Sequence, residues 1–223
     1  MSIIRRLEIF YPLNPKYPAF QKFGENLACI EDLSNIPITK RRVVGKVNGV
    51  CPIGYVELYP LLGLAGHSGE DLYAYDGQPI YASQDGKVVE IETEPERGLG
   101  IGIITTDKYY LDTYGDHYIK YRNWHLKTVN VTMGQIVKIG DLLGLADSTG
   151  LSSGPHNHFE IKPIEWRIDG SYYNVFQNNG FFGSISPELF WSTMTAFQLR
   201  TSLQAMADWL KKAVDIIALL FKK

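Results

Sequence analysis

The stretch Ser152-Ser153-Gly154-Pro155-His156-Asn157-His158-Phe159-Glu160-Ile161 decides how the rest of the chain is read. A Gly-Pro turn opens it, and the residues after the turn are extended. In a strand, residues two apart point to the same face, so His156 and His158 enter one site while Phe159 and Ile161 face a core. Two imidazoles side by side are costly to place without a shared task. Glu160 lies on their face and is read as a solvated or supporting group rather than a proton carrier.

Outward from this strand, the β-pattern continues over residues 46–186. Pro79 to Ala82, the Asp85-Gly86 turn and Lys87 to Glu92 form a hairpin pattern, and Gln135 to Ile139, Gly140-Asp141 and Leu142 to Ala146 form a second. Gly100 to Thr106 and the aromatic run His117 to Leu126 are further strands. Short strands at regular spacing with Gly and Asp turns predict a mainly β domain, an all-β sandwich or barrel.

The flanks differ from this centre. Residues 1–45 mix Pro, basic residues and short apolar pieces, and read as a wrapping arm with a short helix over residues 20–33. The arm ends in Lys40-Arg41-Arg42, which reads as a solvated face. Over residues 187–223, Ser186-Pro187-Glu188 is a helix start. Leu199, Leu203, Met206, Leu210, Val214, Ile217 and Phe221 then recur every three or four residues, giving one apolar face. An unbroken helix there would run about 55 Å. It either packs on the β-domain, self-associates or contacts a membrane surface.

The bulk numbers exclude several classes. The chain has 223 residues, 45% hydrophobic and 21% charged, with a net charge of −2. That balance gives no electrostatic case for nucleic acid as a partner. No 18 consecutive residues are apolar enough to span a membrane. The N-terminus lacks the uninterrupted apolar run of a secretory signal, so synthesis in the cytoplasm without a signal peptide is expected. Cys29 and Cys51 are too few for a disulfide framework and read as reduced thiols, a single bridge being the alternative.

Four of the five histidines fall in three clusters. Gly66-His67-Ser68-Gly69-Glu70-Asp71 puts a His and a carboxylate four apart, where both can face one metal, with Gly residues that let the backbone turn tightly. Trp124-His125-Leu126 ends the aromatic strand, while His117 comes after a turn and reads as exposed and structural. A catalytic zinc keeps three protein ligands and a place for water. Four His plus Asp71 exceed that number, so one or two of the imidazoles should be catalytic. Such a His can take a proton from water and pass it to a leaving amine, or stabilise an oxyanion. No pair of carboxylates suggests a carbohydrate-acting enzyme.

Together these motifs resemble the lysostaphin and LytM-type zinc metallopeptidases, family M23. The resemblance runs from His67-x-x-x-Asp71 through Gly77 to Ala82, Asp85-Gly86, Val88-Val89, Trp124-His125-Leu126, Gly134 to Asp141 and Gly144. It ends at Ser148 to Glu160, about 100 residues in all. It implies a small antiparallel LytM-type β-core with a groove, and peptidoglycan as substrate. It implies Zn2+ held by His67, Asp71 and His158, with His156 as general base and His125 as a second catalytic imidazole. All five positions are intact. Asn157 departs from the family's usual apolar residue and should find a local polar partner. The expected protein is a cell-wall lytic endopeptidase of phage origin, acting on the bacterial wall after release. The alternative is a peptidoglycan-binding phage-particle or structural component without turnover.

Overall fold

The strand Gly98–Thr105 shows how the molecule is layered. Ile101 and Ile103 are buried in the main core, while Gly100 and Gly102 leave the opposite face of the strand bare. The neighbouring strand Gly115–Val129 alternates in the same way: Ile119 and Tyr121 join the core, and Lys120, Arg122 and Trp124 take the other face. In His156–Trp166, Phe159 and Ile161 are in the core, and His158, Glu160 and Lys162 lie opposite. Burying each large apolar side chain contributes roughly 1.5–3 kcal/mol, which fixes the register of the whole sheet.

The computed structural model describes residues 5–220. Its main sheet runs in the order Ile136–Val137, Gly86–Glu94, Gly98–Thr105, Gly115–Val129, His156–Trp166, Glu70–Tyr73 and Ala19–Gln21. Every neighbouring pair along that path is antiparallel, as the resemblance implies. Both expected hairpins re-pair, however. Pro79–Tyr81 joins Leu142–Ala146, and Gly86–Glu94 joins Gly98–Thr105 and Ile136–Val137. Local turn chemistry was outweighed by the burial of Ile80, Val88, Val137 and Leu143 in one core.

The flanks correct three expectations. Residues 20–33 form no helix; they contribute the strands Ala19–Gln21 and Ala28–Glu31, the first paired to Glu70–Tyr73. Ala28–Glu31 is the middle of a small sheet with Val43–Gly45 and Tyr55–Glu57, so that sheet straddles the 45/46 position. Cys29 and Cys51 are not free thiols but a disulfide across this small sheet. The unit has its own apolar cluster of Ala28, Ile30, Leu58, Tyr59 and Leu64. Lys40 and Arg42 are exposed, as a solvated face requires.

The C-terminal helix starts at Ala196, not at residue 187. Ser186-Pro187-Glu188 opens only a short turn, and Trp191–Thr195 is a strand parallel to Ile9–Tyr11. Trp191 packs against Tyr11 and Phe159, with ring centroids 5.1 and 5.0 Å apart. The real helix start is a capping box: Gln198 N–H donates to Thr195 Oγ1 at 3.1 Å, and Thr195 N–H to Gln198 Oε1 at 2.9 Å. Ala196–Leu220 is then about 37 Å long. Phe197 packs on Tyr81, and Arg200 bonds the Gly140 carbonyl and Asp141. Beyond that first turn Leu203, Met206, Trp209, Leu210, Val214 and Ile217 are exposed, so packing on the β-domain stops there. Among the described residues no helix is long and apolar enough to cross a membrane. Phe221 lies outside the described residues.

Candidate metal centre

The antiparallel register places Asp71 directly across from His158, and Trp124 across from His158 on its other side. His67 enters from the turn before Glu70–Tyr73. Three ligand-type atoms converge: His67 Nε2 and His158 Nδ1 are 2.8 Å apart, His158 Nδ1 and Asp71 Oδ1 2.9 Å, and His67 Nε2 and Asp71 Oδ1 3.0 Å. All three residues are buried.

The far nitrogen of each imidazole is committed elsewhere. His67 Nδ1–H donates to the Lys22 carbonyl at 3.2 Å, and His158 Nε2–H to Glu160 Oε1 at 3.2 Å. Those bonds select the tautomers whose remaining lone pairs face each other and the Asp71 carboxylate. Two facing lone pairs are stable only with a proton or a cation between them. The protonation of His158 reflects this. Burial alone would lower its pKa, but its bonds to Asp71 and Glu160 override that and raise it to about 9. Burial would raise Asp71, yet His67, His156 and His158 hold it well below the usual carboxylate range. Zinc binding N and O at roughly 2.0–2.1 Å has ligand atoms roughly 3.3 Å apart, so this triangle needs to open by only a few tenths of an ångström. The set fits a divalent cation.

Two more imidazoles border the triangle. His156 Nε2 lies 3.5 Å from Asp71 Oδ1, and its Nδ1–H donates to the Gly154 carbonyl at 2.8 Å. His125 is held by its Nδ1–H, given to the Thr149 carbonyl at 2.6 Å, and its ring centroid is 4.4 Å from that of His156. Burial, then the charges of His156 and His158, push the His125 pKa down to about 3, which keeps it neutral. His125 has φ +62°, the left-handed region uncommon outside glycine. It sits in a bulge: Leu99 pairs with Leu126 but Ile101 with Asn123, so the His125 strand holds one residue more than its partner. That extra residue turns the imidazole into the site.

Glycine matters here through space. A Cβ on Gly100 would lie 2.1 Å from the Trp124 ring, and one on Gly69 would lie 2.4 Å from the Phe159 carbonyl and 2.9 Å from His158 Nε2. The glycines beside His67 therefore serve close approach rather than turn geometry.

Behind the triangle lies a buried charged ladder. Glu160, fully buried and not solvated, accepts from Ser68 at 2.7 Å as well as from His158. Its other oxygen faces Lys162 Nζ at 3.3 Å and Arg122 Nη1 at 3.5 Å. Burial would raise its pKa, but Lys162, His158, Arg122 and Arg97 hold it ionised. Asn157 finds its partner: Nδ2 donates to Asn123 Oδ1 at 2.9 Å. His117 is half-buried rather than exposed, bound to Glu165 and the Tyr114 carbonyl, and takes no part in the site.

The centre opens into a groove of about 370 Å³. Its lining includes Ala28, Leu58 and Tyr59 of the disulfide-bridged unit, with Leu151 packed against their cluster, and also Arg97 and Phe182. Tyr59, 5.6 Å from His67 between ring centroids, and Arg97 were missed by sequence reasoning, since only the fold carries them to the groove.

A buried His–Asp–His triangle with spare imidazoles in an open groove defines a metal-assisted hydrolase site. Residues 65–172 match the model of peptidase family M23. It is 35% identical over 104 residues to peptidoglycan DD-endopeptidase ShyB of Vibrio cholerae, covering 46% of this chain and 22% of that protein. It is 39% identical over 107 residues to glycyl-glycine endopeptidase ALE-1 of Staphylococcus capitis, covering 46% and 26%. The chain thus spans about a quarter of the length of these curated relatives. The catalytic domain of lysostaphin from Staphylococcus simulans aligns at 28% identity and TM-score 0.43, covering 56% of this chain and 79% of that domain.

Proposed function

We propose that the protein is a zinc-dependent endopeptidase hydrolysing peptide bonds of peptidoglycan. The observation that carries this reading is the convergence of His67 Nε2, Asp71 Oδ1 and His158 Nδ1 beside His125 and His156 in an open groove. The identity to peptidoglycan DD-endopeptidases supports the substrate.

His67, Asp71 and His158 are the zinc ligands. Zinc bound there lowers the pKa of a water and polarises a carbonyl. His156 accepts a proton from the attacking water at Nε2, since its Nδ1–H is already given to Gly154, and then delivers it to the leaving amine. His125, neutral and bonded through Nδ1–H to Thr149, presents Nε2 as an acceptor, which suits it to orient that water. Glu160 holds His158 in the ligating tautomer.

The test combines zinc content with turbidity of cell-wall suspensions. Loss of clearing in His156→Ala and His125→Ala with zinc retained supports the enzyme; an inert parent with zinc bound supports a peptidoglycan-binding component without turnover. Weighing the fragments of defined muropeptides identifies the bond. Lysis of whole cells tests the extension to an endolysin-type, antimicrobial enzyme of phage origin.

A further inference from the structure

Arg97 is the sole Lys or Arg among the residues lining the groove, and its guanidinium is unusually constrained. Its Cζ lies 5.6 Å from the Trp124 ring centroid and 5.7 Å from that of Phe182. Phe182 has φ +50°, so an outlying backbone conformation holds its ring there. Both rings lie within cation–π reach of the guanidinium, whose N–H donors are directed in its own plane. Of its five donors, Nη1–H is given to Glu94 Oε2 at 2.9 Å, and no other protein acceptor is found among the described residues.

The loop is tied to the catalytic imidazole. The Arg97 carbonyl accepts the His125 N–H at 3.3 Å, and the Leu151 N–H donates to the Glu96 carbonyl at 2.7 Å. Gly98 packs on Thr149, whose carbonyl anchors His125; a Cβ on Gly98 would lie 2.4 Å from Thr149 Oγ1. Arg122 makes a useful contrast. It also stacks on Trp124, at 4.4 Å, but the carboxylates of Glu90, Glu92, Glu94 and Glu160 surround it and it does not border the groove. Arg122 is consumed inside the protein. Arg97 is not.

We infer that Arg97 forms a carboxylate-reading subsite at the His125 end of the groove, recognising a free carboxylate on the peptide beside the scissile bond. Glu94 fixes the rotation of the guanidinium, and the remaining in-plane donors present a fork that a carboxylate can fill bidentately. This rests on the peptidase reading and adds to it a substrate feature.

The experiment uses the zinc-loaded full chain and a panel of muropeptides, each with one carboxylate converted to carboxamide. The parent should cut one member with KM raised roughly tenfold to a hundredfold and kcat little changed, the value of a lost charge-assisted contact. In Arg97→Gln the unmodified peptide should fall to the level of that amidated one, with zinc content and melting temperature retained. Arg97→Lys, a point charge without the fork, should recover only part of the difference. If the parent cuts every member equally well, or Arg97→Gln lowers kcat on all of them with KM unmoved, the subsite is refuted while the peptidase reading stands. If the parent cuts no member, both fall.

Discussion

Replacing Glu160 with Gln tests how far the ligand geometry depends on the charged ladder behind it. The substitution keeps size and shape but removes a negative charge from a fully buried position. The distances set two consequences. His158 Nε2–H, 3.2 Å from Oε1, loses the ionised acceptor that fixes its tautomer and raises its basicity. Changes at such supporting residues cost about 10–100-fold in metal affinity. Lys162 at 3.3 Å and Arg122 at 3.5 Å meanwhile lose their shared anion. Arg122 keeps Glu90, whereas Lys162 is left with no other carboxylate partner among the described residues, and unpairing a buried charge costs about 3–5 kcal/mol. Competition titration with a chromophoric chelator gives the affinity, and melting of the metal-free protein gives the stability. The reasoning fails if affinity stays within twofold of the parent. Lost stability with unchanged affinity would make the ladder structural only.

Three further outcomes are expected. In the metal-free protein His158 titrates near 9, so below that pH a proton occupies the ligand site. Metal binding at pH 7 should therefore release about one proton, and affinity should weaken as pH falls from 9; calorimetry in buffers of differing ionisation enthalpy reads the count. Gly100→Ala places a methyl 2.1 Å from the Trp124 ring, next to the bulge. It should cost about 1–3 kcal/mol and lower kcat through displacement of His125, measured by melting and muropeptide turnover. Truncation after Thr201 removes the exposed run of the C-terminal helix and should leave the melting temperature unchanged. Sedimentation and vesicle binding then show whether that run serves self-association or a membrane surface.

The sequence was most legible where side-chain period and burial agree. The two-residue period in His156 to Ile161, broken only by Asn157, predicted both the strand and which residues share the site face. The Gly100–Thr106 and His117–Leu126 strands were legible from their β-branched and aromatic content. Pairing partners were not: Asp85-Gly86 looks like a hairpin turn, but the strand before it pairs with Leu142–Ala146 and the strand after it with Ile136–Val137 and the adjoining Gly98–Thr105. Thr195-x-x-Gln198 carries the true helix-start signal, yet Ser186-Pro187-Glu188 offered an equally good one nine residues earlier. What separates them is the pairing of Trp191–Thr195 with Ile9–Tyr11, a contact between opposite ends of the chain. The Cys29–Cys51 bond was readable only as the alternative to free thiols, since it depends on how the Ala28–Glu31 strand folds against residues 43–57. Within the site, the His67 and Asp71 spacing was readable; the bulge that turns His125 inward needs the neighbouring strand.

The pairing of Ile9–Tyr11 with Trp191–Thr195 bears on any attempt to shrink the molecule. Residues 65–172 alone would omit Trp191, which covers Phe159 and whose indole bonds Glu70, neighbour of Asp71, and Tyr11, which packs on Trp191. They would also omit Lys22, whose carbonyl orients His67. A minimal catalytic fragment cut at those limits would present a wet aromatic surface behind the metal triangle and a His67 free to rotate. Useful shortening has to come from the projecting end of the helix.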